Sequence, residues 1–290
     1  MKGHLNKSEK TESKLSRILN STFSFVIAYL FVNFGYNFFT AISCRAFGMN
    51  ARMYFYGVHI HTLGQTWSTK RILFVYSAGF MFCFFLGIIS IYLYNKFRKK
   101  SLVINLLFLW LAVISISTVI AQSIIGCLGI SDYTSPFYQN LAVVYAWLRV
   151  PIFLSYVFLV PFVLLLLLLA KIMAREFISF TYSFSKISKT KKRQSYFLSV
   201  ALLPAIIGSL GVLGIIALYY EMFNYLYITI VNLGVIVFAA ILSMVFLLKT
   251  EIAPEDLVRY KNLQSISLPL FLMLLFFLTF YILGINGFQL

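Results

Sequence analysis

The sequence predicts an all-α polytopic membrane protein with about seven transmembrane helices and two short interfacial strand segments. Of the 290 residues, 61% are hydrophobic and only 11% are charged, whereas a soluble domain carries about a quarter charged residues. The mean hydropathy is +0.90. Seven apolar segments, separated by short polar linkers, are each long enough for the about 20 residues that a helix needs to cross a bilayer.

The apolar segments set the expected organisation of the chain. Residues 1–17 are predicted to be a basic cytoplasmic tail, and residues 18–290 a single multi-span membrane domain. The first segment is too long for a signal peptide and has no small-residue cleavage site, so it should remain as a span. The predicted spans are 18–44, 72–95, 102–128, 147–170, 196–220, 225–248 and 266–286.

The basic residues predict the orientation. Nineteen of the 24 Lys and Arg residues lie in the N-terminal tail and in every second linker, and the other five lie on the opposite side. By the positive-inside rule the N-terminus is cytoplasmic and the C-terminus is outside. The bias towards Phe, Tyr, Ile, Asn and Lys is typical of an AT-rich bacterial genome, so we expect a bacterial inner membrane. Because the net charge of +16 lies in short loops, the expected contacts are membrane lipids, and nucleic acid is excluded as a partner.

The sequences of two linkers predict β-strands. Residues 52–62 lack a helical period and are rich in β-branched and aromatic residues, which predicts a strand or hairpin. Residues 177–189 alternate aromatic residues with Ser and Thr, and this period of two predicts a second interfacial strand. Because unpaired backbone cannot face lipid, each strand must pair or be covered by protein.

Polar residues within the spans are the first place to look for function. In the first span, Tyr29, Asn33, Tyr36, Asn37, Thr40 and Cys44 recur on one helical face. Gln122 lies in the third span and Asn232 in the sixth. Two interpretations remain open: hydrogen bonds that join helices, or a path for a ligand or transported substrate.

Small residues mark the fifth span. Gly208, Gly211 and Gly214 would let another helix approach closely. That partner is either another helix of this chain or a second protein.

Candidate metal ligands are few. His59 and His61 lie two residues apart on the predicted strand, so their rings share a face, and Asp132 is expected on the same side of the membrane. The alternative is a pair of interfacial histidines near lipid head groups. The sequence shows no paired intramembrane carboxylates, P-loop or recognisable catalytic triad, so we predict no catalytic residues and no cofactor.

The stretch Tyr36–Gly57, YNFFTAISCRAFGMNARMYFYG, resembles the first core helix and membrane-associated β-loop of the site-2 protease family of membrane metalloproteases. Cys44, Arg45, Gly48 and Gly57 fit the family's spacing, and residues 77–79 (SAG) stand where relatives carry Ala-Gly-Pro. The resemblance implies a protease-like core and a binding site for a protein segment.

This sequence departs from the family at the residues that carry the chemistry. The HExxH positions hold Tyr36, Asn37 and Thr40, and Asp132 is followed by Tyr133 rather than by the Gly of the family's later ligand motif. Without zinc ligands and the catalytic glutamate, peptide hydrolysis by that mechanism is excluded. The family usually places its β-loop on the cytoplasmic side, whereas the charges here place it outside.

Three functional hypotheses follow. The first is a non-catalytic integral membrane subunit or scaffold that binds another membrane protein in or beside the bilayer, built on a decayed site-2-protease-like core. The alternative is a transporter or permease subunit. The third is an enzyme that uses His59, His61 and Asp132 with a metal.

Overall fold

The computed structural model describes residues 14–54, 57–61, 67–98, 102–130, 134, 137–181, 187–217, 223–248 and 267–289. A π-helical turn spans Leu198–Leu202. The helices are α1 (Lys14–Ala46), α2 (Thr69–Phe97), α3 (Leu102–Gly129), α4 (Leu141–Trp147), α5 (Ile152–Ser179), α6 (Thr190–Phe197), α7 (Leu203–Ala217), α8 (Phe223–Phe246) and α9 (Ser267–Asn286).

The predicted multi-span helical fold is confirmed. Six helical segments are long and apolar enough to cross a membrane: α1, α2, α3, α5, the continuous α6–α7 segment and α8. The helix α9, 20 residues long, coincides with the seventh predicted span.

Helices α1 and α3 form the centre of the bundle. Helix α1 packs against α2, α3, α7 and α9, while α3 packs against α2, α4, α5 and α8. An aromatic cluster of Phe25, Trp110, Phe177 and Phe197 fills the bundle towards the N-terminal end of α1. The centroid separations are 5.0 Å for Phe25–Trp110, 4.7 Å for Trp110–Phe177 and 6.2 Å for Phe177–Phe197. Packing of this kind holds membrane helices together where lipid removes the hydrophobic driving force.

A small sheet caps the other end of the bundle. Strands β1 (Asn50–Met53) and β2 (Val58–His61) form an antiparallel hairpin, with Arg52 opposite His59. Strand β3 (Phe288–Gln289) pairs with the other edge of β1, so the order is β2-β1-β3. The hairpin predicted at 52–62 is therefore confirmed, although it begins two residues earlier. Since β3 joins the sheet that follows α1, the C-terminal ends of α1 and α9 lie at the same end of the bundle, as an odd number of spans requires.

The prediction of a second strand at 177–189 is wrong for its first residues, 177–180. Phe177 and Ser179 belong to the last turn of α5, Phe180 forms a turn, and residues 182–186 lie outside the described residues. Phe177 and Ile178 are fully buried. Burial of this helix end in the aromatic cluster overrides the local pattern with a period of two, because packing outweighs strand propensity.

Two span boundaries also differ from the prediction. Helix α1 begins at Lys14, within the predicted tail, and Arg17 is buried there, with its guanidinium 4.3 Å from the centre of the Tyr196 ring. The predicted fourth span began at Trp147, but Trp147 ends the separate helix α4, and α5 starts after Pro151. Proline lacks a backbone N–H and is well suited to the start of a helix but not to its interior.

Candidate functional site

The polar face of α1 lines a cavity of about 510 Å³ between α1, α3 and α8. The hairpin and the segment before α4 cover the cavity at its outer end. Its polar lining residues are all uncharged or aromatic, apart from one histidine: Tyr29, Asn33, Tyr36, Asn37, Thr40, His59, Tyr76, Thr118, Gln122, Tyr138, Gln139, Asn140, Tyr225, Thr229 and Asn232.

The structure brings together all five residues predicted for the intramembrane polar face. Asn33, Tyr36, Asn37 and Thr40 lie along one side of α1 because they are spaced by three, four or seven residues on a helix with 3.6 residues per turn. Gln122 of α3 faces them across the cavity. What these side chains bind remains a prediction.

Among the residues that the structure describes, no Asp, Glu, Lys or Arg side chain lines the cavity. Charges within a membrane are costly and usually mark ion or proton paths. The lining is instead suited to a neutral ligand that both donates and accepts hydrogen bonds.

Several lining groups already have partners. The Thr40 hydroxyl donates to the Tyr36 carbonyl at 3.0 Å, and the Thr118 hydroxyl donates to the Ile114 carbonyl at 2.9 Å. The Asn140 side-chain amide donates to Gln122 Oε1 at 2.9 Å, which ties the segment before α4 to α3. Such bonds orient the cavity wall.

Within the described part of the chain, two buried lining atoms have no hydrogen-bond partner. They are the hydroxyl oxygen of Tyr36 and the side-chain carbonyl oxygen of Asn232. Leaving a buried polar group unsatisfied costs about 1–3 kcal/mol, so unpaired groups in a native structure require an explanation. The Asn232 oxygen, on the side of the cavity formed by α8, can accept a bond from a ligand.

The inner end of the cavity is closed. The Tyr29 hydroxyl lies within hydrogen-bonding reach of Thr229, which links α1 to α8. The Tyr29 ring stacks on Phe25 at 6.4 Å, and Phe25 belongs to the aromatic cluster. The cavity therefore occupies only one half of the bundle.

The outer end of the cavity runs along a sheet edge. Val58 and Ile60 point to one face of β2 and His59 to the other, yet all three line the cavity. A cavity that touches both faces of a strand must border its backbone edge. Strand β1 pairs with one edge of β2, and the other edge faces the cavity. No strand among the described residues pairs with that second edge, so it is available for pairing.

The structure describes two of the three candidate metal ligands. His59 and His61 lie on β2 as predicted, and the His59 ring packs 5.0 Å from the Tyr54 ring. Asp132 lies outside the described residues. Within the described part of the chain, no group of three His, Cys, Asp or Glu residues could hold a metal ion.

The three predicted packing glycines have different environments. A Cβ atom at Gly208 would lie 2.8 Å from Phe25 Cε1, so α7 packs closely on α1 there. Gly211 and Gly214 have no described residue within 4 Å of the corresponding position. Intramolecular packing thus explains Gly208, while Gly211 and Gly214 lie on the outer surface of the bundle.

Sequence reasoning missed the part of the cavity wall formed by Tyr138 and Gln139, and by Tyr225 at the start of α8. Asn140 adopts a positive φ of 51°, which is uncommon outside glycine and often occurs at functional sites. The amide-rich run Gln139–Asn140 before α4 was the available signal, but nothing local indicated that it faces α1.

Helix α2 contacts α1 beside Tyr36 and Thr40. A Cβ atom at Gly79 would lie 2.8 Å from the Tyr36 carbonyl oxygen and 2.9 Å from Thr40 Oγ1. Only a glycine permits this approach of the two backbones.

Comparison of the chain with protein-family models, with curated proteins and with solved structures found no match.

Proposed function

We propose that this protein is a non-catalytic integral membrane subunit that holds a segment of a partner membrane protein in the cavity between α1, α3 and α8. The proposal rests on one observation: this uncharged cavity runs along the edge of β2 that does not pair with β1. An extended segment could pair with that edge and place its side chains among the polar residues of α1.

The chemistry of the lining fits a peptide. A peptide backbone is neutral and presents alternating donors and acceptors, and the lining offers amides and hydroxyls without a charge. The sheet itself illustrates the mode of binding, because the two-residue strand β3 pairs with β1 from a distant part of the chain.

The proposal includes a decayed site-2-protease-like core. Its support is the order of helix, hairpin and helix in α1, β1–β2 and α2, together with the close contact of Gly79 with Tyr36 and Thr40. In the resemblance, Tyr36, Asn37 and Thr40 correspond to the zinc ligands and the base, and all three line the cavity. Such a core would keep a surface for binding and lack the groups for hydrolysis.

The proposed orientation places the N-terminus in the cytoplasm of a bacterium and the hairpin outside its inner membrane. The support is the concentration of basic residues in the tail and in alternate linkers. Reaction of a cysteine introduced at His59 with an impermeant maleimide added to intact cells tests this orientation. No reaction until the cells are opened would contradict it.

A photo-crosslinking amino acid at Ile60 tests the binding proposal in native membranes. Ile60 lies on β2 in the cavity lining, and the matched control is the same amino acid at Phe153, which is 71% exposed on the outside of α5. We expect Ile60 to give one defined adduct whose crosslinked peptide maps to a single partner segment. The additional substitution Asn232→Leu should reduce its yield. The same adducts from both positions, or none from Ile60, would contradict the proposal.

The alternative is a transporter or permease subunit, and one observation favours it. The cavity is closed at its inner end by Tyr29 and the aromatic cluster, as expected of one state of an alternating-access protein. Uptake of neutral radiolabelled solutes into proteoliposomes tests this alternative. Solute-dependent flux that Asn232→Leu abolishes would favour transport over partner binding.

A further inference from the structure

At the outer end of the cavity, the hairpin and α8 meet through the ring of Tyr225. We propose that Tyr225 and Gly57 form a latch that controls access to the cavity. The latch would regulate the site of the proposed function, and the identity of its occupant rests on that proposed function. Access to the cavity can be measured independently with any small reagent.

Gly57 is buried beneath the ring of Tyr225. A Cβ atom at position 57 would lie 2.7 Å from Tyr225 Cζ and 3.0 Å from Tyr225 Cδ1. Real Cβ atoms essentially never come closer than about 3 Å to another heavy atom. The ring can therefore lie against the hairpin backbone only because residue 57 has no side chain.

Tyr225 also contacts the hairpin two residues further along. Its ring is stacked on the His59 ring, with a centroid separation of 6.2 Å and an interplanar angle of 22°. The other neighbour of the His59 ring is Tyr54, at 5.0 Å. One aromatic side chain of α8 thus packs on Gly57, which precedes β2, and on the ring of His59.

The latch bridges a gap between helices. Helices α1 and α8 make few direct contacts, and the cavity lies between them. At the inner end of the cavity they are linked by Tyr29 and Thr229. At the outer end, α8 meets the hairpin through Tyr225, so displacement of that ring would open the gap.

The hairpin is held more firmly than the latch. Its strand β1 buries Ala51 beside Cys44 and Val75 in a second small core, and β3 pairs with its edge. Opening should therefore involve the Tyr225 end of α8 moving away from a fixed hairpin. A segment that enters would then reach the edge of β2.

The test is the rate at which a small impermeant maleimide labels a cysteine introduced at Val32, which is 2% exposed and lines the cavity. The protein is studied in proteoliposomes in four forms that carry Val32→Cys: otherwise unchanged, Tyr225→Ala, Tyr225→Phe and Gly57→Ala. The matched control is Ile230→Ala, which alters an exposed residue of α8 outside the cavity.

If the open state is a minor population of about 10% or less, Tyr225→Ala and Gly57→Ala should each speed labelling about tenfold or more. Tyr225→Phe keeps the ring and should remain slow, as should Ile230→Ala. Equal rates in all forms would overturn the latch.

Unfolding is distinguished from opening by the native cysteines. Cys44, Cys83 and Cys127 are buried, so Tyr225→Ala with Val32 intact must remain unlabelled. Labelling of that form as fast as of the Val32→Cys form would also overturn the latch. Failure of the crosslink from Ile60 would remove the proposed occupant without changing these rates, so the two proposals fail separately.

Discussion

The indole N–H of Trp110 donates a 2.9 Å hydrogen bond to the hydroxyl of Ser21, joining α3 to α1 in the interior of the bundle. Ser21 in turn donates to the carbonyl of Val200 at 2.5 Å. Val200 lies in the π-helical turn between α6 and α7, where the usual helical hydrogen bonding is shifted. One hydroxyl therefore connects three helical segments.

Ser21→Ala should destabilise the protein. It leaves the Trp110 N–H without its acceptor in a fully buried site, at a cost of about 1–3 kcal/mol, and also removes the bond to the Val200 carbonyl. Thermal unfolding in detergent measures the effect, with Ser195→Ala as the control because Ser195 is exposed on α6. Equal midpoints for the two variants would show that the network contributes nothing.

Gly208→Ala and Gly211→Ala should have opposite effects, although both add one methyl group to α7. At Gly208 the methyl group meets Phe25, which packs edge-on against Trp110, and overpacking of this kind costs about 1–3 kcal/mol. At Gly211 the space is open, so the gain in helix propensity of about 0.5–1 kcal/mol remains. Unfolding midpoints that move in the same direction would contradict the assignment of Gly208 alone to the contact between α1 and α7.

Glu176→Gln should weaken the contact between the C-terminal end of α2 and α5 and destabilise the protein. The Glu176 carboxylate pairs with Arg98 at 3.1 Å and accepts a 2.8 Å hydrogen bond from Tyr94. Hydrogen bonds to charged groups contribute about 1.5–3 kcal/mol, and because Arg98 is 30% exposed the lower end applies. Lys171→Gln, an exposed change on the same helix, serves as the control in thermal unfolding. A loss no larger than that of the control would mean that the pair is fully screened.

Gly287→Val should release β3 from the sheet. Gly287 has a positive φ of 59°, and a Cβ atom there would lie 2.8 Å from Arg52 Nε and 2.9 Å from Tyr54 Cε1. β-Branched residues strongly disfavour that backbone conformation. Hydrogen exchange followed by mass spectrometry should then show faster exchange in β1, with the peptide from α3 as an internal reference. Unchanged protection of β1 would show that β3 does not shield it.

The candidate site was predictable where it followed a single helix. Asn33, Tyr36, Asn37 and Thr40 could be assigned to one face because helical periodicity is a local property. Gly208 and Gly211 could not be told apart, since they lie three residues apart on the same helix and only the position of Phe25 distinguishes them. The helical end of α5 was missed for a similar reason, because Phe177 is held by Trp110, a residue far away in sequence.

The sequence by itself determined that this is a multi-span helical membrane protein and that its first span carries a polar face. Those properties follow from hydropathy and period, which each segment expresses alone. The tertiary structure decided that this face meets Gln122 and Asn232 around one cavity, and that the Tyr225 ring of α8 packs over Gly57 of the hairpin. Both relationships depend on how distant helices pack. In lipid, where every span is apolar, that packing is set by shape complementarity between side chains.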